Sequence, residues 1–435
     1  MIFFAEAFFM KIKTKQLSYD EVMKIKKPPH RLPKRPGLLF RSIVRAAASS
    51  DLRDAKFSYT TSRMELAGKG PWLILMNHSS FIDLEIVSKI MFPKPYCIVC
   101  TSDGFVGKEW LMRQIGCIPT QKFVSDVSLI GDINYALHKK NTSVLMYPEA
   151  SYSFDGCATP LPRRLGILLK KLRVPVISIH TEGAFARDPL YNCLQKRKVK
   201  VSAEVSCLFS AEEIQEKSVD ELDEGLRVAF DFDNFAWQRE NGVIINEDFR
   251  ADGLNRILYK CAHCGNEGSM EGKGTSLVCR SCGKKYELTP LGTLKAEDGE
   301  TEFSHIPDWY RWERSCVREE IESGSYRLDI PVNIGMVVDF KAVYMVGSGR
   351  LVHTAEGFHL TGCGGKLDYI QSPKASYSLY SDYYWYEIGD VICIGDKDRL
   401  YYCFPRGGDV VAKTRMATEE LYKLSHLRRE KALAR

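Results

Sequence analysis

The chain has 435 residues, of which 45% are hydrophobic and 27% charged, and a formal net charge of +6. This length exceeds what one ordinary hydrophobic core serves, so the sequence predicts two to four globular domains. No run approaches the roughly 20 apolar residues that span a bilayer. Lysines follow the apolar stretch 1–10 rather than precede it, which argues against a secretory signal and favours a reducing compartment.

The positive charge is concentrated near the N-terminus. Residues 11–45 contain eleven Lys and Arg against Asp20 and Glu21, a local excess of nine that leaves a balance of three negative charges elsewhere. Phenylalanines and leucines flank this stretch, a pattern typical of a segment that binds an anionic membrane surface. We predict that residues 1–50 form a basic, amphipathic membrane-interface segment; a solvated basic tail is the alternative.

Between residues 72 and 210, apolar runs alternate with helical patterns. The predicted strands are 72–76, 143–147 and 174–179, and the clearest predicted helices are 82–91 and 164–172. This alternation predicts an α/β domain with a mostly parallel sheet flanked by helices, which we assign to residues 51–240. Capping boxes at Ser210 to Glu213 and Ser218 to Glu221 predict two helices that close the domain.

The first chemical motif, Asn-His-Ser-Ser-Phe-Ile-Asp at 77–83, directly follows the first predicted strand. At the carboxyl edge of a parallel sheet, His78 is suited to accept a proton from a hydroxyl, and Asp83 to fix its tautomer. Five residues on a regular helix lie about 140° apart, so the two side chains meet only if 77–80 form a turn. We expect amides near the helix start to hold an oxyanion; the alternative is that the polar residues only cap a helix.

These residues resemble the first signature, Asn-His-x4-Asp, of the glycerolipid acyltransferase family typified by 1-acylglycerol-3-phosphate acyltransferase. Three further family blocks follow in order at 116–122, 147–153 and 174–177, so that the resemblance covers about residues 40–240. It implies that His78 is the general base and Asp83 its charge partner. It also implies acyl-CoA or acyl carrier protein as donor, a lysolipid acceptor, and substrate binding by Asn77, Lys122, Glu149, Ser151 and Ser153.

The chain departs from the family at two cationic positions. Lys122 stands where the second block has Arg, and Tyr152 where the third block has Arg. Lysine is a point charge rather than a bidentate fork, and tyrosine does not neutralise a phosphate. We expect 1-acylglycerol-3-phosphate as the acceptor. The alternatives are another lysolipid or glycolipid acceptor, or a non-catalytic, zinc-containing membrane adaptor.

A second motif lies in the segment 255–292. Cys261 and Cys264 form one C-x2-C pair and Cys279 and Cys282 another, each pair followed by glycine. This spacing predicts a zinc ribbon in which four thiolates complete the coordination of a structural Zn²⁺. Zinc ribbons resemble nucleic-acid-binding modules, but the loop 265–278 has two glutamates against one lysine, which argues against a nucleic acid partner.

The region 305–435 is predicted to contain a helix and a small β domain. A helix is expected at 307–322, followed by strands at 337–346, 351–361, 377–386, 391–394 and 400–404, and a terminal helix at 418–434. The pattern is typical of a small barrel or sandwich and weakly resembles a pleckstrin-homology-like domain.

The whole chain is predicted to be a peripheral enzyme on the cytoplasmic face of a membrane.

Overall fold

The computed structural model describes residues 12–124 and 126–433, with side chains up to 426. Within these residues the chain divides into two compact units. The first comprises 29–189 and 196–234, and the second 12–28, 190–195 and 235–433. The predicted membrane-interface segment is therefore divided between the units, and its residues 1–11 lie outside the described residues. In the described part of the chain, no helix is both long and apolar enough to cross a membrane.

The second unit receives the first two elements of the chain, strand β1 (Thr14–Gln16) and helix α1 (Tyr19–Met23). The strands that follow build the first unit: β2 (Ser58–Ser62), β3 (Leu73–Met76), β4 (Tyr96–Thr101), β5 (Cys117–Thr120), β6 (Ser143–Met146), β7 (Val176–Glu182) and β8 (Ser202–Phe209). They form one sheet in the order β2-β8-β7-β3-β6-β4-β5. Every pairing is parallel except that of β7 with β8, so the predicted mostly parallel sheet is confirmed.

Helices flank this sheet, and a hydrophobic core lies between them and its apolar strands. They are α2 (Leu38–Ala47), α3 (Ser49–Asp54), α4 (Ile82–Met91), α5 (Glu109–Gln114), α6 (Val127–Asn134), α7 (Leu165–Leu172), α8 (Ala184–Arg187), α9 (Ala211–Glu216) and α10 (Val219–Ala229). Both predicted capping boxes are present, at the starts of α9 and α10. Leu73 and Val144 are fully buried with leucines of α7 and α10, and this core fixes the carboxyl edge of the central strands.

The cysteine-rich segment of the second unit forms a small antiparallel sheet. After α11 (Asn234–Glu240) come β9 (Met270–Lys273), β10 (Ser276–Cys279), β11 (Lys285–Leu288) and β12 (Leu294–Ala296). Their order is β12-β11-β10-β9, so strands adjacent in sequence are adjacent in space.

A larger sheet completes the second unit. Its elements are α12 (Ile306–Ser323), β13 (Leu328–Val337), β14 (Val343–Thr354), β15 (Gly357–Gly362), β16 (Leu367–Gln371), β17 (Tyr380–Trp385), β18 (Gly389–Gly395), β19 (Leu400–Pro405) and α13 (Val411–Leu433). The order β16-β15-β14-β13-β19-β18-β17 is antiparallel throughout, and β1 adds to β14 in parallel. The predicted C-terminal β domain is present as an antiparallel sheet; its closure into a small barrel or sandwich and its likeness to a pleckstrin-homology-like domain stay predictions.

Three predicted element boundaries in this region are wrong. Single strands are predicted at 337–346 and 351–361, but β13 ends at Val337, β14 spans Val343–Thr354 and β15 begins at Gly357. Strand β13 was not predicted, because Pro331 interrupts its apolar pattern. Pro331 lies just outside the stretch 332–336 that pairs with β19. The terminal helix begins at Val411 rather than at 418.

Candidate active site

The turn between β3 and α4 brings His78 against Asp83. His78 Nδ1 lies 3.0 Å from Asp83 Oδ2. The same oxygen accepts the backbone N–H groups of Ser79 at 2.9 Å and Ser80 at 3.1 Å. The turn that the five-residue spacing requires is therefore present. The expectation that amides here hold an oxyanion is wrong for Ser79 and Ser80, because both already donate to Asp83.

Burial determines the charge state of this pair. It lowers the pKa of His78 well below its ordinary value, and the nearby Lys122 ammonium lowers it further. Burial also raises the pKa of Asp83, although the two backbone N–H donors act against that rise. Because Oδ2 already accepts two N–H groups, the proton it shares with Nδ1 rests on the ring nitrogen. His78 is then a neutral imidazole whose Nε2 carries a free lone pair.

The third family block holds the backbone of His78 from both sides. The His78 N–H donates to Glu149 Oε2 at 2.9 Å, and the His78 carbonyl accepts the Ser153 N–H at 3.2 Å. Glu149 Oε1 accepts the N–H and hydroxyl of Thr159 at 2.9 and 3.2 Å. Glu149 is 1% exposed, so this carboxylate fixes the turn from inside the protein.

Three other residues predicted to bind substrate, Asn77, Ser151 and Ser153, are buried, whereas Lys122 is partly exposed. The Asn77 side chain is fully buried and bridges β3 to β7, because its Oδ1 accepts the Thr181 N–H at 2.8 Å and its Nδ2 donates to the Thr181 carbonyl at 3.1 Å. Ser151 and Ser153 are each 1% exposed, and Ser153 Oγ donates to the Cys157 carbonyl at 2.6 Å. Their contacts stabilise the loop that carries Glu149, and substrate binding by them stays a prediction.

Two tyrosines of the third block contact the imidazole directly. The rings of Tyr147 and Tyr152 each stack on His78 with centroids 3.9 Å apart and interplanar angles of 21° and 29°. Lys122 Nζ lies 5.7 Å from the centroid of the Tyr152 ring. Sequence reasoning noticed Tyr152 only as a missing arginine and gave Tyr147 no role. The sequence signal for these two contacts was the presence of a tyrosine on either side of Pro148 and Glu149.

A buried polar chain behind the turn was also missed. Asp188, which follows α8, lies close enough to Ser80 for the Ser80 hydroxyl to act to lower its pKa. Burial raises the pKa of Asp188 to about 7, whereas the adjacent Arg187 guanidinium, 3.4 Å away, acts to lower it. Arg187 is 4% exposed and also contacts Asp51 of α3 at 2.6 Å. No short motif links these positions, so only the fold reveals that they support the catalytic turn.

The four predicted zinc ligands lie together in the second unit. Their sulfur atoms are all within 4.8 Å of one another, and Cys261 to Cys282 and Cys264 to Cys279 are each 3.8 Å apart. The two C-x2-C turns have the same hydrogen bonds: the first cysteine N–H donates five residues ahead, and the glycine N–H donates back to that cysteine's carbonyl. His263 is 54% exposed and pairs with Glu302 rather than joining the sulfurs.

Helix α12 holds the first of these turns. The Lys260 N–H donates to Glu313 at 2.8 Å, and the Lys260 carbonyl accepts the indole N–H of Trp309 at 2.9 Å. Glu313 is fully buried, and burial raises its pKa well above the ordinary value. The residue preceding the first ligand is thus fixed on both sides.

Comparison with known proteins agrees with the first of these two sites. Residues 56–181 match the family model described as Acyltransferase. Among solved structures, the chain is similar to the 1-acyl-sn-glycerophosphate (LPA) acyltransferase PlsC from Thermotoga maritima, at 16% identity over 44% of this chain and 80% of that chain, with a TM-score of 0.31. His78, Asp83, Tyr147, Glu149 and Tyr152 all fall inside the matched range. The likeness to the Acyltransferase family model thus covers both the turn at His78 and the loop that carries Glu149.

Proposed function

We propose that this chain is an O-acyltransferase that moves a fatty acyl group from acyl-CoA or acyl carrier protein to the hydroxyl of a lysolipid, with 1-acylglycerol-3-phosphate as the acceptor. The observation that carries the proposal is the 3.0 Å contact between His78 Nδ1 and Asp83 Oδ2 within the residues that match the Acyltransferase family model. The contact occupies Nδ1 and leaves Nε2 to accept a proton. Burial keeps the imidazole neutral, which is the state that a general base requires.

The proposed reaction is a single acyl transfer. The acceptor hydroxyl oxygen attacks the thioester carbonyl carbon while its proton passes to His78 Nε2, and a tetrahedral oxyanion forms. The carbon–sulfur bond then breaks, and the departing thiolate takes the proton from the imidazolium. Asp83 stabilises the imidazolium between these steps without itself changing protonation.

An assay with purified protein tests this function. Labelled acyl-CoA and acyl carrier protein are each offered with a panel of lysolipids, and products are identified by mass spectrometry. We expect transfer with the wild-type chain and a loss on the order of 10²- to 10⁴-fold in His78→Ala. His30→Ala is the matched control, because His30 Nε2 also contacts an aspartate, Asp132, at 3.0 Å but is 57% exposed. We expect the control to retain full activity.

The same assay separates the enzyme from an adaptor. Release of free thiol only when a lysolipid is present supports acyl transfer. If neither donor loses its acyl group with any acceptor, while His78→Ala and wild type bind vesicles equally, the chain is a non-catalytic membrane adaptor and the proposal fails.

We further propose that the chain acts at an anionic membrane on its cytoplasmic face. Leu38 and Leu39 of α2 are 57% and 68% exposed, although both are large apolar side chains. The neighbouring Lys34 and Arg35 are also exposed, so apolar and cationic groups occur together near the start of this helix. Flotation with vesicles containing 30% phosphatidylserine, a composition of about physiological order, should recover the wild type. A Leu38→Ser, Leu39→Ser double variant should remain unbound, and equal flotation of both would refute this membrane site.

We also propose that the four cysteines hold one structural Zn²⁺. Tetrahedral zinc with bonds of about 2.3 Å places its sulfurs about 3.8 Å apart, which agrees with the two measured separations of 3.8 Å. Four thiolates leave no position for a substrate, so the metal would stabilise the small sheet. Elemental analysis of the purified chain should give one zinc per chain, and none in a variant with all four cysteines changed to serine.

A further inference from the structure

We propose that Tyr147 and Tyr152 are positioning residues that hold the His78 imidazole between their rings and stabilise its protonated form. The inference rests on the proposed function, because it assigns these residues a part in the proton transfer at His78. It assigns a function to Tyr152, which the sequence identified only as a replacement for the arginine of the third family block.

The two rings cover opposite faces of the imidazole. Each centroid lies 3.9 Å from that of His78, and each ring is within 30° of parallel to it. Two six-membered rings stacked this closely on one five-membered ring would overlap if they shared a face. Tyr147 and Tyr152 therefore enclose His78 from both sides, and Phe81 lies behind Tyr152 with centroids 5.6 Å apart.

This enclosure leaves one direction of approach to the base. Both faces of His78 are covered and Nδ1 contacts Asp83, yet the side chain remains 14% exposed. The ring edge that carries Nε2 is the part of the imidazole that these three contacts leave uncovered. The nitrogen lone pair points along that edge, in the plane of the ring. A hydroxyl that reaches His78 thus meets the lone pair in line, which is the geometry that proton transfer needs.

The rings also act on the charge that His78 acquires. An imidazolium between two aromatic faces is attracted to their electron density, and the attraction is largest where water is excluded. Lys122 opposes it, because its ammonium lies 5.7 Å from the same Tyr152 ring and adds a second positive charge. Besides the two tyrosines, the titratable groups that face His78 from the surrounding elements are Asp83, Lys122 and Glu149.

A graded substitution at Tyr152 tests the inference by turnover. Tyr152→Phe keeps the ring and should retain kcat within about twofold, whereas Tyr152→Leu keeps an apolar side chain without a ring and should lose about tenfold. Replacing Tyr152 by phenylalanines bearing one, two and three fluorines preserves shape while withdrawing ring electron density. We expect kcat to fall stepwise along that series. Tyr59→Leu, which removes an exposed ring stacked on Phe57, is the control and should leave kcat unchanged.

A second measurement does not depend on turnover. Titration of ¹⁵N-labelled histidine by NMR gives the pKa of His78 in each folded variant, and it should be lower in Tyr152→Leu than in Tyr152→Phe. If wild type transfers no acyl group, the proposed function fails, but this titration still decides the inference. Equal His78 pKa values in the Phe and Leu variants, or a flat fluorine series in an active enzyme, would overturn it.

Discussion

The turn at His78 and the turn at Cys261 are held by the same kind of contact. The N–H of His78 donates to Glu149, and that of Lys260, next to Cys261, donates to Glu313. Both carboxylates are at most 1% exposed. In each turn the carbonyl of the same residue accepts an N–H from a residue close in sequence to that glutamate. A buried carboxylate far along the chain thus fixes each turn.

The two turns differ in how far along the chain their partners lie. The four sulfurs come from two similar turns within 22 residues, and each turn closes its own hydrogen bonds. The catalytic turn takes its contacts from 147–159, from Thr181 and from Asp188. Apart from its contacts with Glu313 and Trp309, the cysteine site is local and should depend chiefly on its ligand, whereas a site built from several distant segments should depend on each buried partner. The following predictions test that difference.

The largest effect should follow loss of the metal. Structural zinc in small domains contributes about 10 to 16 kcal/mol of binding free energy, and Cys279→Ser removes one of its four ligands. We expect chelation or this substitution to abolish amide protection in β9 to β12, as measured by hydrogen exchange. Peptides from β3 and β7 of the other unit should keep their protection. Full protection of β9 to β12 after chelation would show that the sheet is stable without zinc.

Asp83→Asn should have the next largest effect, on catalysis. The substituted side chain keeps an oxygen that accepts the Ser79 and Ser80 N–H groups, but it lacks the charge that stabilises the imidazolium. We expect kcat to fall on the order of 10³- to 10⁴-fold. Wild-type activity requires neutral His78, whose pKa burial lowers, so kcat/KM should persist as pH falls through 6.5 and decline only below it. Residual activity in Asp83→Asn should decline at still lower pH.

Glu85→Gln is the matched control for that experiment. Glu85 lies in the same helical turn as Asp83, and burial, followed by repulsion from Asp51, raises its pKa to about 8. Glutamine keeps the size of this side chain and one of its oxygens, and kcat should stay within about threefold. Equal losses in both variants would indicate general damage to α4 and would not support a role specific to Asp83.

The sequence predicted what depends on local patterns. The sheet of the first unit and both capping boxes follow from periodicity and short spacings, whereas the pairing of His78 with Asp83 followed from the family resemblance and required a turn at 77–80. Asp188, Thr181 and the stacking of Tyr147 on His78 were not predicted, because they join segments that are 69 to 108 residues apart in the sequence. Strand β13 was missed for the opposite reason, since Pro331 is a local signal against a strand that long-range pairing overrides.

A smaller effect is expected at Glu419, in a buried cluster of the second unit. Burial acts to raise the pKa of Glu419, but Arg314 at 2.6 Å and Arg415 at 3.3 Å lower it to about 2. Glu419→Gln removes the carboxylate that both arginines contact, although Glu420 stays 3.4 Å from Arg314, and it should reduce the free energy of unfolding by about 3 kcal/mol in urea titrations. The residues of this cluster, like those around His78, come from distant parts of the sequence. We nevertheless expect Glu419→Gln to leave acyl transfer unaffected, because the cluster lies in the second unit.

The pH dependence provides an independent check on Glu419. Because its pKa in the folded chain lies below the ordinary value of 4.5, its stabilisation is complete above about pH 4.5 and is lost as pH falls toward 2. Wild type and Glu419→Gln should therefore converge in stability over that interval. Glu322→Gln, which removes a 53% exposed partner of Arg318, should change stability by less than about 0.5 kcal/mol throughout.

The smallest effect concerns Ala150, which stands where the third family block has glycine. Its φ is +56°, a left-handed conformation that costs an L-residue about 1 to 2 kcal/mol. Ala150→Gly removes that cost but frees the unfolded chain, so we expect a net gain of about 0.5 to 1 kcal/mol in unfolding free energy. Ala46→Gly, in the right-handed helix α2, should lose about as much unfolding free energy.

The substitution at position 150 should change stability but not turnover. Because Glu149 and Ser153 already fix the backbone around Ala150, we expect the relief of strain to increase the unfolding free energy while kcat stays within about twofold. A matching rise in kcat would instead show that this strain restrains the catalytic turn.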